Sequence, residues 1–217
     1  GRKVVMSVTG LCLMIFLTFH CCMNVAAFFS KDAYNMVCEF LGSHWYAVAG
    51  TAGLAFLAVC HIVYAFILTA QNRRARGPQR YEVTSRRSEV SWASQNMLVL
   101  GLIILVGLLL HLYNFWGHMQ FAELAHIEFA YGPADGFAWI VYTFSNPVFS
   151  ILYLIWICAL WFHLTHGFWS AMHTLGMSGK IWMQRWQCFG MVYVTILMAV
   201  FVILILSFWL GFAPSMC

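Results

Sequence analysis

Apolar and polar positions fall in long blocks along this chain rather than alternating residue by residue. Five blocks, about Val4–Ser30, Trp45–Ala70, Met97–Trp116, Pro147–His173 and Gln187–Phe212, contain no Lys, Arg, Asp or Glu. Each has 20 residues or more, the length a helix rising about 1.5 Å per residue needs to cross roughly 30 Å of hydrocarbon. None shows the two-residue alternation of a barrel strand, and only helices or closed barrels satisfy their backbone in lipid. The pattern predicts an all-α membrane protein, one bundle of five transmembrane helices spanning 1–217 as a single domain. Polar breaks separate the blocks, clearest across Gln71, Gly77, Pro78 and Glu89, and at Gly132-Pro133-Ala134-Asp135. There is no internal repeat and no low-complexity segment.

Composition narrows the class without changing it. The 217 residues are 63% hydrophobic, 18% aromatic and 8% charged, with a mean hydropathy of +0.80. An ordinary soluble domain carries roughly 25% charged residues, so too little polar surface exists here to cover a globule in water. Disordered, collagen-like and disulfide-stapled chains have other signatures.

The few charges set an orientation. Arg2 and Lys3 precede the first block, Arg73, Arg74, Arg76, Arg80, Arg86 and Arg87 follow the second, and Lys180 and Arg185 follow the fourth. The opposite side has Lys31 against Asp32, Glu39, Glu123, Glu128 and Asp135. The positive-inside rule then places the N-terminus in the cytoplasm and the C-terminus outside. Arginines beside membrane spans read as topology determinants, and no nucleic-acid partner is expected. The first block is too long for a cleaved leader; with Gly1 in first place, the encoded start is expected to lie before it.

Histidine is the chemistry left inside the spans. Of nine His, five lie within blocks: His20, His61, His111, His163 and His166. His173 sits at an inner edge, and His44, His118 and His126 fall in outer segments or at their margins. An ionisable group in lipid is costly unless satisfied, which makes it a functional candidate. Counting residues to the nearer span end sorts them into two layers, His20 with His111 in the outer half and His61 with His163 or His166 in the inner half. Two imidazoles facing each other from different helices can ligate a b-type haem axially, and bis-imidazole ligation fills both axial positions. The other ring nitrogen of each ligand is expected to donate to a carbonyl or hydroxyl. Gly10, Gly50, Gly53, Gly101 and Gly107 would let a macrocycle approach the backbone. A single membrane histidine is more often a packing residue; four at two matched depths favour haem. Spacing alone leaves His163 and His166 open, since residues three apart share a helix side.

The residues around these histidines resemble the cytochrome b membrane subunit of succinate:quinone oxidoreductases and quinol:fumarate reductases, in the one-polypeptide, five-helix, two-haem form. The similarity runs over essentially the whole chain: Gly1-Arg-Lys with Thr9-Gly10, Phe19-His20 followed by Asn24, His61-Ile-Val-Tyr64, Leu110-His111, and Phe162-His163-Leu-Thr-His-Gly167-Phe-Trp169-Ser170. The last stretch is the most specific. The resemblance implies His163 rather than His166 as ligand, with His20 and His111 holding the outer haem and His61 and His163 the inner one. It also implies a cytoplasmic flavoprotein subunit with covalent FAD, an iron–sulfur subunit, exchange of electrons with a quinone (menaquinone is expected), and a dimer of the heterotrimer as an allowed assembly. The arginine-rich inner segment and Lys180 would face the soluble subunits.

Haem propionates want donors near the inner interface, and Ser7, Trp92, Gln95 and Lys180 are available as propionate or quinone contacts. Quinol oxidation outside releases protons; Glu39 is the candidate acceptor and Asn24 a candidate quinone contact. Some relatives carry a glutamate two residues before the fourth-helix ligand, where this chain has Trp161, so a carboxylate relay is not expected. Eight Cys are spread without a Cys-x-x-Cys, which removes c-type haem attachment and zinc knuckles. Cys38 and Cys217 are expected outside, with no pairing implied. Met119–Phe129 has apolar positions near helical spacing and is expected as a surface connector. The alternatives are the cytochrome b of a hydrogenase or formate dehydrogenase, and a histidine-dependent transporter, which should show charged residues or breaks in its spans.

Overall fold

The computed structural model describes residues 1–42, 44–76 and 92–212. Arg80, Glu82, Arg86, Arg87, Glu89 and Cys217 lie outside the described residues, as does the Gly77-Pro78 break. Among the described residues there is no strand, and nine helices run in order: α1 (Arg2–Asn24), α2 (Lys31–Phe40), α3 (Trp45–Arg76), α4 (Trp92–Gln95), α5 (Met97–His111), α6 (Gln120–Ala125), α7 (Gly136–Phe144), α8 (Pro147–Thr174) and α9 (Lys180–Trp209). A 3-10 turn, Val25–Phe28, extends α1, and a π-helical turn, Leu112–Gly117, extends α5. Five of these helical stretches are long and apolar enough to cross a membrane: Arg2–Phe28, Trp45–Ala75, Met97–Gly117, Pro147–Thr174 and Lys180–Trp209. Each corresponds to one of the five expected blocks.

Two boundaries differ from expectation for one reason. α3 runs on past Ala70 to Arg76, and α9 begins at Lys180 instead of near Gln187. A run of uncharged residues marks the hydrocarbon, whereas a helix continues until water can take over its backbone hydrogen bonds. The 32 residues of α3 make about 48 Å of helix at roughly 1.5 Å per residue, far more than the hydrocarbon needs. Its last turns carry Arg73 and Arg74, which are exposed. At the start of α9, Arg185 lies over the Trp182 ring at 5.2 Å, and Trp182 stacks on Trp186 at 5.9 Å. One end of the bundle is thus basic, with Arg2, Lys3, Arg73, Arg74, Lys180 and Arg185, and the other acidic.

The core lies along α8 and α9, which pack most closely with each other. Gly190 makes the approach possible, because a Cβ there would come within 2.5 Å of Phe168. α1 packs on both α3 and α8, while α3 rests on α1 and buries little else. Local chemistry closes the ends. Asn146 accepts from the Val148 amide at 2.9 Å with Pro147 in the first turn, a helix start that needs no amide hydrogen there. After α8, Gly176 takes φ +86°, and the amides of Gly176 and Met177 return to the carbonyls of His173 and Met172, the paired bonds of a Schellman stop.

The acidic end holds a cap that the hydropathy pattern misses. α2 and α7 lie there, and α7, which follows the Gly132–Asp135 break and lies outside the five expected blocks, buries Phe137, Ala138, Trp139, Ile140 and Phe144. Phe137 packs on Phe208 at 5.3 Å between ring centres. Asp135 ties the cap together: its Oδ1 accepts from the Asn35 side chain at 2.8 Å and from the Ala138 amide at 3.2 Å, and Lys31 lies 3.9 Å from Oδ2. Asn35 in turn accepts from the Phe137 amide at 2.9 Å. Replacing Asp135 by alanine removes a helix cap and a cross-link, and should lower stability by about 1–2 kcal/mol, read as a lower unfolding midpoint in detergent.

Cys38 fills the space that Gly136 leaves empty, since a Cβ there would lie 2.3 Å from its sulfur. The thiol is free. Burial, reinforced by the charge of Asp135, pushes it up to about 11, and burial likewise raises the Tyr34 phenol beside it. Because the thiolate is the reactive form, Cys38 should label slowly with maleimide at pH 8 and faster as pH approaches 11. Mass spectrometry of the modified chain checks this.

Candidate functional site

Two pairs of histidines meet inside the bundle, each across two helices. Towards the acidic end, His20 of α1 faces His111 at the end of α5, with ring centroids 5.7 Å apart and planes at 89°. Towards the basic end, His61 of α3 faces His163 of α8, with centroids 6.4 Å apart and planes at 72°. Helix periodicity leaves His163 and His166 equivalent; the packed bundle does not. His166 instead lies 4.8 Å from the Trp169 ring.

The basic-end pair is built on α1. Thr9 is buried, and its Oγ1 lies 3.2 Å from His61 Nδ1. The same hydroxyl donates back along its own helix, 2.9 Å from the Val5 carbonyl and 3.1 Å from that of Met6. The next residue is Gly10, where a Cβ would come within 3.1 Å of His61 Cε1.

The acidic-end pair sits in an aromatic shell. Phe16 stacks on His20 at 5.7 Å, and Phe201 lies 6.0 Å away. His111 is surrounded by Phe115, Trp156 and Tyr153, at 5.2, 5.6 and 6.2 Å. The π-helical turn starts directly after His111. It buries Asn114, which donates to the Tyr153 hydroxyl at 3.3 Å. Trp156 is fixed by donation to the Ile104 carbonyl at 3.0 Å. These partners of His111 were not legible in the sequence; the one signal was Gly107, a glycine in an otherwise bulky apolar run.

Gly107 corrects one expectation. It admits the Trp156 indole, which a Cβ would meet at 2.1 Å, and so it leaves no backbone bare for a macrocycle. Gly10 likewise receives His61 itself. Gly50, Gly53 and Gly101 have nothing within 4 Å of a Cβ position.

The structure gathers the four histidines and leaves the proposed propionate and quinone contacts at the margins. Asn24 is engaged at the end of α1, donating to the His20 carbonyl at 2.8 Å and accepting from the Tyr34 hydroxyl at 3.1 Å. It therefore links the α2 cap to the backbone of His20. Glu39 is exposed on α2, and Lys180 is exposed at the first residue of α9. Ser7 is half-buried two residues before Thr9, and Gln95 is exposed at the end of α4. Trp92 is exposed, with its ring 5.2 Å from Phe162, the neighbour of His163. Trp161 donates to the Thr195 hydroxyl at 2.9 Å.

The pairs fit an iron held between two imidazoles. Two nitrogens each about 2 Å from a shared metal hold their ring centroids about 6 Å apart, close to both observed separations. The Nδ1 atoms of His111 and His163 are buried without a hydrogen-bond partner, and Nε2 of neither ring is shut away like this. Only His61 among these three has the hydroxyl partner expected for Nδ1. Among the described residues no group of three or more His, Cys, Asp or Glu is placed to hold a metal ion. No family model, no curated protein and no solved structure matches the chain.

Proposed function

We propose that this chain is the dihaem cytochrome b subunit of a succinate:quinone oxidoreductase or quinol:fumarate reductase complex, in the bacterial cytoplasmic membrane with its basic end in the cytoplasm. The observation that carries the reading is the meeting of His20 with His111 and of His61 with His163, at 5.7 and 6.4 Å, on four different helices and at two levels. A b-type haem, when bound, would supply a one-electron carrier. His20 and His111 would hold the outer group, His61 and His163 the inner one. Aromatic rings surround the outer pair, and Asn24 ties the backbone of His20 to α2. Arg73, Arg74, Lys180 and Arg185 present a basic face to the flavoprotein and iron–sulfur subunits, and menaquinone is the expected quinone. The choice of dicarboxylate enzyme rests on the sequence resemblance around the four histidines, with Phe162-His163 through Trp169-Ser170 its most specific part.

The test is the partner set. Purified from its native membrane, the chain should bring FAD-containing and iron–sulfur subunits, and succinate should reduce its b-type absorbance. A chain that carries haem but arrives with a nickel or molybdenum enzyme, and is not reduced by succinate, would move the reading to a hydrogenase or formate dehydrogenase partner.

A further inference from the structure

We propose that Thr9 is a positioning residue for His61, holding that imidazole with its proton on Nδ1 and making it the more basic ligand of its pair; the inference rests on the haem reading above. A hydroxyl has one proton to give and lone pairs that accept. The Thr9 hydroxyl lies within hydrogen-bond distance of two carbonyls, those of Val5 and Met6, at 2.9 and 3.1 Å. Carbonyls only accept, so they take the Thr9 proton. At His61 Nδ1, 3.2 Å away, the Thr9 oxygen is therefore the acceptor and the imidazole the donor. With the proton fixed on Nδ1, Nε2 keeps its lone pair for the iron.

The neighbouring residues hold this geometry. Thr9 is 6% exposed, so water does not compete for the bond. Gly10 lets the ring lie against α1, since a Cβ would reach within 3.1 Å of Cε1. The facing ligand has no such support, because His163 Nδ1 is buried without a partner, as is that of His111. A hydrogen bond from the distant ring nitrogen raises the basicity of a metal-bound imidazole. A more basic ligand favours the oxidised metal and lowers its potential. The Thr9 hydroxyl, beside the Met6 backbone that also bonds the His61 ring, thus sets His61 apart from His163.

The experiment compares Thr9→Val, which keeps the shape and removes the hydroxyl, with Thr9→Ser, which keeps the hydroxyl. Potentiometric titration of the b-type absorbance should show one midpoint moving upward in Thr9→Val, the other unchanged, and both unchanged in Thr9→Ser. Loss of that haem from Thr9→Val alone would support the same role. Unchanged midpoints in Thr9→Val with both haems bound would overturn it, as would a shift or haem loss in Thr9→Ser. A second readout needs no haem: 15N spectra of the histidine-labelled, haem-free full chain in micelles. Wild-type His61 should be protonated on Nδ1, giving way to a tautomer mixture in Thr9→Val. Protonation on Nε2 in the wild type would overturn the inference, whereas Nδ1 protonation in a chain that never binds haem would overturn only the reading beneath it.

Discussion

His163→Ala is expected to cut the haem content of the purified chain from two per polypeptide to one, whereas His166→Ala keeps both. The two histidines are one helical turn apart on α8, and the ring of His163 lies 6.4 Å from that of His61. His166 lies against Trp169 instead. Removing His163 takes away the imidazole that faces His61 across the bundle. The pyridine haemochrome assay counts the groups, and the reverse result, haem lost only from His166→Ala, would show that the ligand on α8 is the other one. His111→Ala should remove the outer group in the same way and leave the inner absorbance in place.

The second large effect comes from a glycine. In Gly107→Ala the new methyl would lie 2.1 Å from Trp156 Cδ1 and 2.3 Å from Cγ. These atoms belong to the fixed base of the indole, so α5 and α8 must separate or the whole ring must turn. Overpacking of this kind costs about 1–3 kcal/mol. Turning the indole also gives up its bond to the Ile104 carbonyl, about 1 kcal/mol more. The same indole packs on His111 at 5.6 Å, so the outer pair is disturbed with it. The unfolding midpoint in detergent should fall by several degrees and the outer absorbance should shift. Gly101→Ala, six residues earlier on α5 with nothing within 4 Å, should leave both unchanged and serves as the control.

The spans were legible because lipid imposes one rule on every residue inside it, and the block pattern records that rule directly. The helix ends were less so: Lys180 and Arg185 look like a loop by charge, yet a long basic side chain can reach the interface from within a helix. The α2–α7 cap was hidden for a different reason. Its helices are short, and α7 follows a Gly-Pro turn, so only the tertiary contacts of Phe137 and Ile140 reveal it as core. At the site, depth counting found the two layers, because a histidine's place along a helix is one-dimensional information. What α1 does for His61 was not available from depth, since Thr9 and His61 are 52 positions apart. The glycines show the same limit: Gly107 signals a close approach, but its sequence does not say that the approaching group is Trp156.

The central claim is that the two histidine pairs are haem ligands. The most direct measurement is a reduced-minus-oxidised spectrum of the purified wild-type chain together with haem-to-protein stoichiometry. The spectrum should show b-type absorbance from two low-spin haems per chain; a correctly folded preparation without b-type absorbance would show that the histidine pairs hold no haem.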